Sequence, residues 1–354
     1  FQAEDGIRDA QESRGLGDVY KRQANAQVKR DSADLLQEQF IQSVKISSAY
    51  LNLLIAQRFI LNAQSNLDRA NAIRKVVMAR TLSGLNPGVD SSIANAEVSR
   101  ATLALIDATG NEQQLRNQLA QLLNTSPAPF VLDSAFLKNM PAAYHTDFDV
   151  RQNPQAQFFA SRITQSSLSE TAIRKTILPG VNLFGIFQSR GSGFDYNYTP
   201  DYPDRYSKSY FSGINPSRSN YVAGLSVSWN LMSPSKIKHQ AAAQHFITQA
   251  YQSEYDLVNT QLKDQLILSD QRIENALQAC NEVPRQYKAA SDAYLQKSVL
   301  YKNGLANIVD LQQALYAVNK AETDIGVAFI NVWQALLLKA AASGDFDLFL
   351  KQVK

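Results

Sequence analysis

Cysteine occurs once in the 354 residues, at Cys280. That excludes an intramolecular disulfide framework and any zinc site built on several thiolates. Histidine is almost as scarce, and His145, His239 and His245 are too few and too scattered for a histidine-based metal cluster. Excess charge is missing too: a formal net charge of +3 is no nucleic-acid footprint. No run reaches the 18 or so consecutive apolar residues of a membrane-spanning helix. With 45% hydrophobic and 19% charged residues, the chain reads as neither disordered nor a polytopic helical membrane protein.

Glycine and proline are absent from long windows. Nine of the eleven prolines lie between Pro127 and Pro234. From Ala24 to Asn86 there is no proline and the only glycine is Gly84; from Leu225 to Asn303 there is no glycine, and after Pro234 the one proline is Pro284. These two residue types punctuate structure, so their absence predicts very long helices. A helix over 24–82 would reach roughly 90 Å, beyond the width of an ordinary globular core, and would need partners along its whole side. Pro284 is expected to bend the second long helix near Ala279–Val283, because proline removes a backbone donor.

Residues 1–23 (FQAEDGIRDAQESRGLGDVYKRQ) depart from this pattern, with three glycines and no sustained apolar periodicity. They resemble translated sequencing-adaptor read-through, with a disordered native terminus as the alternative, and are set apart from the fold.

An internal repeat organises the remainder. Gly84-Leu85-Asn86-Pro87-Gly88-Val89-Asp90 parallels Gly304-Leu305-Ala306-Asn307-Ile308-Val309-Asp310 at an offset of 220 residues. Each segment interrupts a helical pattern with Gly-Leu and restarts it at Val-Asp, where Asp90 and Asp310 are expected to cap the next helix. Beyond the second turn, Ala314, Ala321, Ala328, Ala335 and Ala342 recur every seventh residue; Ala94, Ala101, Ala108, Leu115 and Leu122 hold those places in the first copy. Val98, Leu105 and Leu119, and Val318, Ile325 and Val332, follow four residues later. This is a heptad seam whose small residues let two helices approach closely. A soluble antiparallel coiled coil would show the same seam. Two helical hairpins follow, over 24–125 and 233–345.

Between them the period changes. Residues 126–176 read as short helices and loops, with helical character around Ala156, Phe159, Ile163, Leu168 and Ile173. Tyr221, Ala223, Leu225, Val227, Trp229 and Leu231 then alternate with Val222, Gly224, Ser226, Ser228 and Asn230. Period two over about 11 residues is the signature of a tilted transmembrane strand. Val181–Gln188 is a second candidate strand with less clean alternation. The segment 189–219 between them carries Tyr196, Tyr198, Tyr202, Tyr206 and Tyr210, as suits the outer end of a membrane hairpin, where tyrosine favours the interface. A soluble strand pair packed on the helices is the alternative. The expected order is thus a segment 1–23 outside the fold, a helical hairpin 24–125, short helices and loops over 126–176, a β-hairpin 177–232 with its outer loop at 189–219, a second helical hairpin 233–345 and a tail 346–354.

Two helical hairpins repeated around a strand hairpin, with G-x-x-x-x-V-D at each turn and alanines in heptad register, resemble the TolC family of outer-membrane efflux and secretion channels. The segment YKNGLANIVDLQQAL is the most specific part, and the resemblance covers about 24–345. It implies a mostly α fold with transmembrane β-strands, assembled as a homotrimer whose strands close one barrel and whose helices form a periplasmic tunnel. An open strand edge in lipid leaves unpaired backbone groups costing several kcal/mol each, so a two-stranded hairpin requires partner chains in any case. In the family a further strand hairpin and an opening helix precede the position of residue 24, so the chain as given is expected not to form a working channel by itself.

The resemblance also implies roles. Gly84, Leu85, Asp90, Gly304 and Leu305 would stand at turns that a periplasmic adaptor contacts. Tyr301 matches a tyrosine, and Asp310 an aspartate, of the family's constriction; Ala306 stands where the family has an arginine and Gln313 where it has a second aspartate. A ring of Asp310 would attract cations, though Asp310 could equally be a helix cap and no more. No Walker-type phosphate loop is present, so energy is expected from partners: the adaptor and an inner-membrane pump or ABC exporter. No cofactor, metal or nucleic acid is implied, and no histidine lies beside a nucleophile in a catalytic motif. The expected role is passive conduction of drugs or secreted polypeptides across the outer membrane of a Gram-negative bacterium. The competing reading is a soluble periplasmic coiled-coil scaffold or adaptor.

Overall fold

The computed structural model describes residues 16–137, 139–141, 148–191, 193–216 and 218–352; His145 and the first 15 residues lie outside them. In chain order the elements are α1 (Leu16–Leu82), α2 (Gly88–Leu122), 3-10 turns at Ser134–Leu137 and Val150–Gln152, and α3 (Pro154–Lys175). Then come β1 (Gly180–Arg190), α4 (Tyr210–Ile214), β2 (Arg218–Ser228), α5 (Pro234–Lys302), α6 (Ile308–Ser343) and α7 (Asp347–Leu350). Two compact units result. One comprises the chain up to Ala26 with Thr164–Gln249; the other comprises Gln27–Ile163 with Ala250–Lys354.

The glycine-free and proline-poor windows are the long helices: α1 has 67 residues and α5 has 69. Helix α1 begins at Leu16 rather than near Ala24. Val19 is buried there, and Gln23 Nε2 donates to Ser169 Oγ at 3.3 Å, so the end of the segment set apart above is part of the helix. Helix α5 continues through Pro284. Just before it, Cys280 and Val283 pack with Ala328 and Val332 of α6.

The heptad seam is buried as its spacing requires. Ala314, Ala321, Ala328, Ala335 and Ala342 are all buried, as are Val318 and Val332. In the first copy Ala94, Ala101 and Leu119 are buried, while Ala108, Leu115 and Leu122 are half-buried. Gly326 adds a close approach that the spacing did not reveal: a Cβ there would come within 3.2 Å of Ile55 Cδ1. By length and composition α6 is apolar enough to cross a membrane, yet 61% of its most apolar stretch is buried inside the protein. It is a core helix.

The larger unit has its main core around Trp333, which packs with Leu51, Leu54, Ile273, Ile330 and Leu336. Phe136 meets the Trp333 ring edge-on at 5.0 Å, and Phe349 of α7 approaches it at 6.0 Å. The stretch expected to be a tail therefore closes the core. Asn153, 1% exposed, joins two helix ends. Its Nδ2 donates to the carbonyls of Ala341 and Ala342 at 2.9 Å, and its Oδ1 accepts from the Gln155 N–H at the start of α3. Carbonyls that a helix leaves unpaired at its C-terminus are thus satisfied. Gly344 has φ +81° and lies so close to Asn153 that a Cβ would fall 2.5 Å from its Cα.

In the smaller unit β1 and β2 form an antiparallel pair in register from Gly180↔Ser228 to Arg190↔Arg218. Residues directly opposite share a face. One face is Val181–Val227, Leu183–Leu225, Gly185–Ala223 and Phe187–Tyr221, apolar until the Ser189–Ser219 pair at its loop end. The other is Asn182–Ser226, Phe184–Gly224, Ile186–Val222 and Gln188–Asn220. The uneven alternation of β1 comes from Phe184 and Ile186 on this second face, where the Phe184 ring covers Gly224; a Cβ on Gly224 would meet its Cζ at 2.9 Å. Beyond the strands, Phe194 bridges to Tyr206 and meets the Tyr198 ring at a tilt, 4.5 Å between centres, and Tyr196, Tyr202 and Tyr210 are exposed.

Candidate functional site

The two interhelical turns belong to the larger unit and share one backbone solution. At the first, the Leu85 N–H donates to Arg80 O (2.9 Å) and the Gly84 N–H to Thr81 O (3.0 Å). At the second, the Leu305 N–H donates to Leu300 O (2.9 Å) and the Gly304 N–H to Tyr301 O (3.0 Å). Both are Schellman closures, which need a left-handed residue just past the helix; Gly84 and Gly304 supply it with φ +70° and +79°. At these two closures the 220-residue repeat holds bond for bond.

The helix starts differ from expectation. Pro87, not Asp90, is the N-cap of α2, and it makes no side-chain cap bond. Asn307, not Asp310, is the N-cap of α6, its Oδ1 accepting from the Asp310 N–H at 2.7 Å. Both aspartates lie one residue short of completing the first turn, where their charge still favours the positive end of the helix. The cause is that Asn307, with its short amide, outcompetes a residue already inside the helix for the cap position.

A polar cluster joins the turns. Arg80 Nε donates to Asn86 Oδ1 at 2.8 Å and Arg80 Nη1 to Lys302 O at 2.9 Å. Asn86 Nδ2 in turn donates to Asp90 Oδ2 at 2.7 Å and to Tyr301 Oη at 3.0 Å. The Arg80 guanidinium lies 5.9 Å from the centre of the Tyr301 ring. Tyr301 is 2% exposed and packs with Val77, Ala94, Ile308 and Leu311. Burial first, and then the Asp90 charge, push its hydroxyl above the usual tyrosine pKa, so it stays neutral and available for hydrogen bonding. Asp310 lies outside this cluster. It accepts from Lys297 Nζ at 2.9 Å, and that hydrogen bond holds its carboxyl below the usual range.

Of the residues singled out by sequence, Gly84, Asp90, Tyr301 and Gly304 meet around the cluster. Leu85 and Leu305 are exposed, as are Val89 and Val309, so each turn presents a matched Leu–Val pair. Gln313 is exposed and joins none of these contacts; its neighbour Gln312 instead donates to the Ile93 carbonyl of the other hairpin at 3.4 Å. Sequence reasoning missed Arg80, Asn86 and Lys297. Asn86 was legible as the one polar residue between Leu85 and Pro87; Arg80 and Lys297 carry no local signal.

Further along the hairpins, Arg69 of α1 donates to both Glu322 carboxylate oxygens (3.0 and 2.6 Å) and to Asn319 Oδ1 (2.5 Å) on α6. Arg100 pairs with the buried Glu97 at 2.8 Å and reaches the Tyr316 ring at 5.9 Å. Lys339, 3% exposed, bonds Asp270 at 2.7 Å. Among the described residues no group of three or more His, Cys, Asp or Glu side chains is assembled.

No protein-family model matches the chain, and no curated protein matches it in sequence. Solved structures match it closely in shape. It superposes on the outer-membrane channel OprN with a TM-score of 0.76 at 17% identity, over 94% of this chain and 72% of OprN. The outer membrane protein VceC of Vibrio cholerae gives 0.76 at 14% identity, over 93% and 76%. The outer membrane channel CmeC of Campylobacter jejuni also gives 0.76, at 12% identity, over 94% and 68%. The chain therefore has the fold of these outer-membrane channels, the fold that its resemblance to the TolC family implies.

Proposed function

We propose that the chain is a subunit of a homotrimeric outer-membrane channel that passively conducts exported solutes, with the paired turns forming the periplasmic mouth. The observation that carries this reading is the pair of superimposable turns tied together by Arg80, Asn86, Asp90 and Tyr301. A scaffold needs its hairpins only to pack, whereas a mouth needs two ends held by bonds that can be exchanged without unfolding the helices. The β-hairpin supports the same reading. Its face of Val181, Leu183, Phe187, Tyr221, Leu225 and Val227 is exposed, and its outer edges have no strand partners among the described residues. In lipid, neighbouring subunits would supply those partners.

In this reading the exposed Leu85–Val89 and Leu305–Val309 pairs receive the hairpin tips of a periplasmic adaptor, which links the channel to an inner-membrane pump or ABC exporter. The role is conduction rather than catalysis. Planar-bilayer recording of the full-length protein purified in detergent tests it. Stable, discrete conductance steps are expected; a protein that stays soluble without detergent and never conducts would leave the helical scaffold as the answer.

A further inference from the structure

The two turns are alike in backbone and unlike in charge. Within the matched windows 74–92 and 294–312 stand five cations, Arg74, Lys75, Arg80, Lys297 and Lys302, against two carboxylates, Asp90 and Asp310. Asp310 is engaged directly by Lys297 at 2.9 Å, both side chains being about 40% exposed. The residue 220 positions before Lys297 is Val77, fully buried, so the first turn has no counterpart of this pair. Asp90 is linked instead to Arg80 through the Asn86 amide. Both carboxylates are thus balanced. Arg74, Lys75 and Lys302 make no ion pair among the described residues.

A carboxylate in contact with an ammonium presents a dipole to a passing ion, and its field falls faster with distance than that of a lone charge. The unbalanced cations keep their full reach, about 8 Å at physiological ionic strength. Such charges at a narrow opening set which ions concentrate there. Resting on the reading of these turns as a channel mouth, we infer that this mouth favours anionic solutes, and that Lys297 sets the preference by neutralising Asp310. Asp310 alone suggests the opposite sign. The substrate class that fits is a solute or polypeptide segment with net negative charge.

Reversal potentials of the full-length channel under a KCl gradient decide the matter. The parent should favour chloride. Lys297→Met should free the carboxylate and move the chloride-to-potassium permeability ratio toward potassium by about twofold or more. Asp310→Asn should move it the other way, and the double variant should return close to the parent. The exchanged pair, Lys297→Asp with Asp310→Lys, keeps the contact and should keep the parent ratio, which covers the case in which Lys297→Met fails to assemble. A parent that favours potassium, or an unmoved ratio in Lys297→Met, overturns the inference while leaving discrete conductance, and hence the channel reading, intact. Absence of any conductance step sinks both.

Discussion

Asn86 donates to the Tyr301 hydroxyl at 3.0 Å across 215 positions of sequence, so the turn of one hairpin grips the last helical turn of the other. The grip is not a simple pair. Asn86 also receives Arg80 and holds Asp90, so one amide is bonded to all three.

Removing the hub should therefore cost more than removing one spoke. Asn86→Ala is expected to destabilise the turn region by about 1–3 kcal/mol, since it leaves half-buried donors and acceptors unmatched. Tyr301→Phe loses one hydroxyl and should cost about 0.5–1.5 kcal/mol. Single-channel recording should show a larger rise in conductance for Asn86→Ala. Equal effects would mean that the tyrosine, not the amide, organises the contact.

The two turn glycines allow a controlled comparison. Alanine at either place takes on left-handed backbone strain of about 1–2 kcal/mol. At Gly84 a Cβ would meet open space, whereas at Gly304 it would lie 3.0 Å from the Arg80 guanidinium. Gly304→Ala should displace Arg80 and lose about 1 kcal/mol more than Gly84→Ala, as measured by chemical denaturation in detergent. Indistinguishable midpoints would show that Arg80 contributes nothing there.

Buried Lys339 should prove more dependent on its partner than the protein is on Lys339. Asp270→Asn replaces the carboxylate that accepts from the buried ammonium with a neutral amide and is expected to cost about 1–3 kcal/mol; Lys339→Met removes the charge and should cost less than about 1 kcal/mol. Denaturation midpoints in the reverse order would contradict this account.

The β-hairpin makes a prediction about sidedness. Leu225→Lys puts a charge in the apolar stretch of that face, between Val227 and Tyr221, and should impair membrane insertion, by up to about 2–4 kcal/mol if that position reaches the bilayer midplane. Ser226→Lys, one residue along on the other face, should be tolerated. Yields of heat-resistant assembled protein in outer-membrane fractions report the difference, and equal losses would remove the case for a lipid-facing surface.

Much of this architecture was legible because it rests on punctuation and period. Missing glycines and prolines marked α1 and α5, the heptad alanines marked the buried seam of α6, and alternation marked β2. What escaped depended on tertiary neighbours. Phe184 breaks the alternation of β1 because it covers Gly224 across the ladder, and Phe349 joins a core assembled from residues far away in sequence. At the turns, Gly84 and Gly304 carried a backbone signal that any glycine-ended helix gives. The cap positions were misplaced because Asn307 precedes the motif's Asp310 and competes for the same N–H groups. Lys297 was invisible because its partner lies 13 positions away, around a turn.

The repeated turn also has a consequence for symmetry. Three copies of a chain with two equivalent ends would present six backbone-identical ends of two chemical kinds in alternation, one marked by Asn86 and Val77, the other by Ala306 and Lys297. A partner reading only shape and the Leu–Val pairs would meet sixfold order. One reading charge would meet threefold order, and could be seated in a single phase.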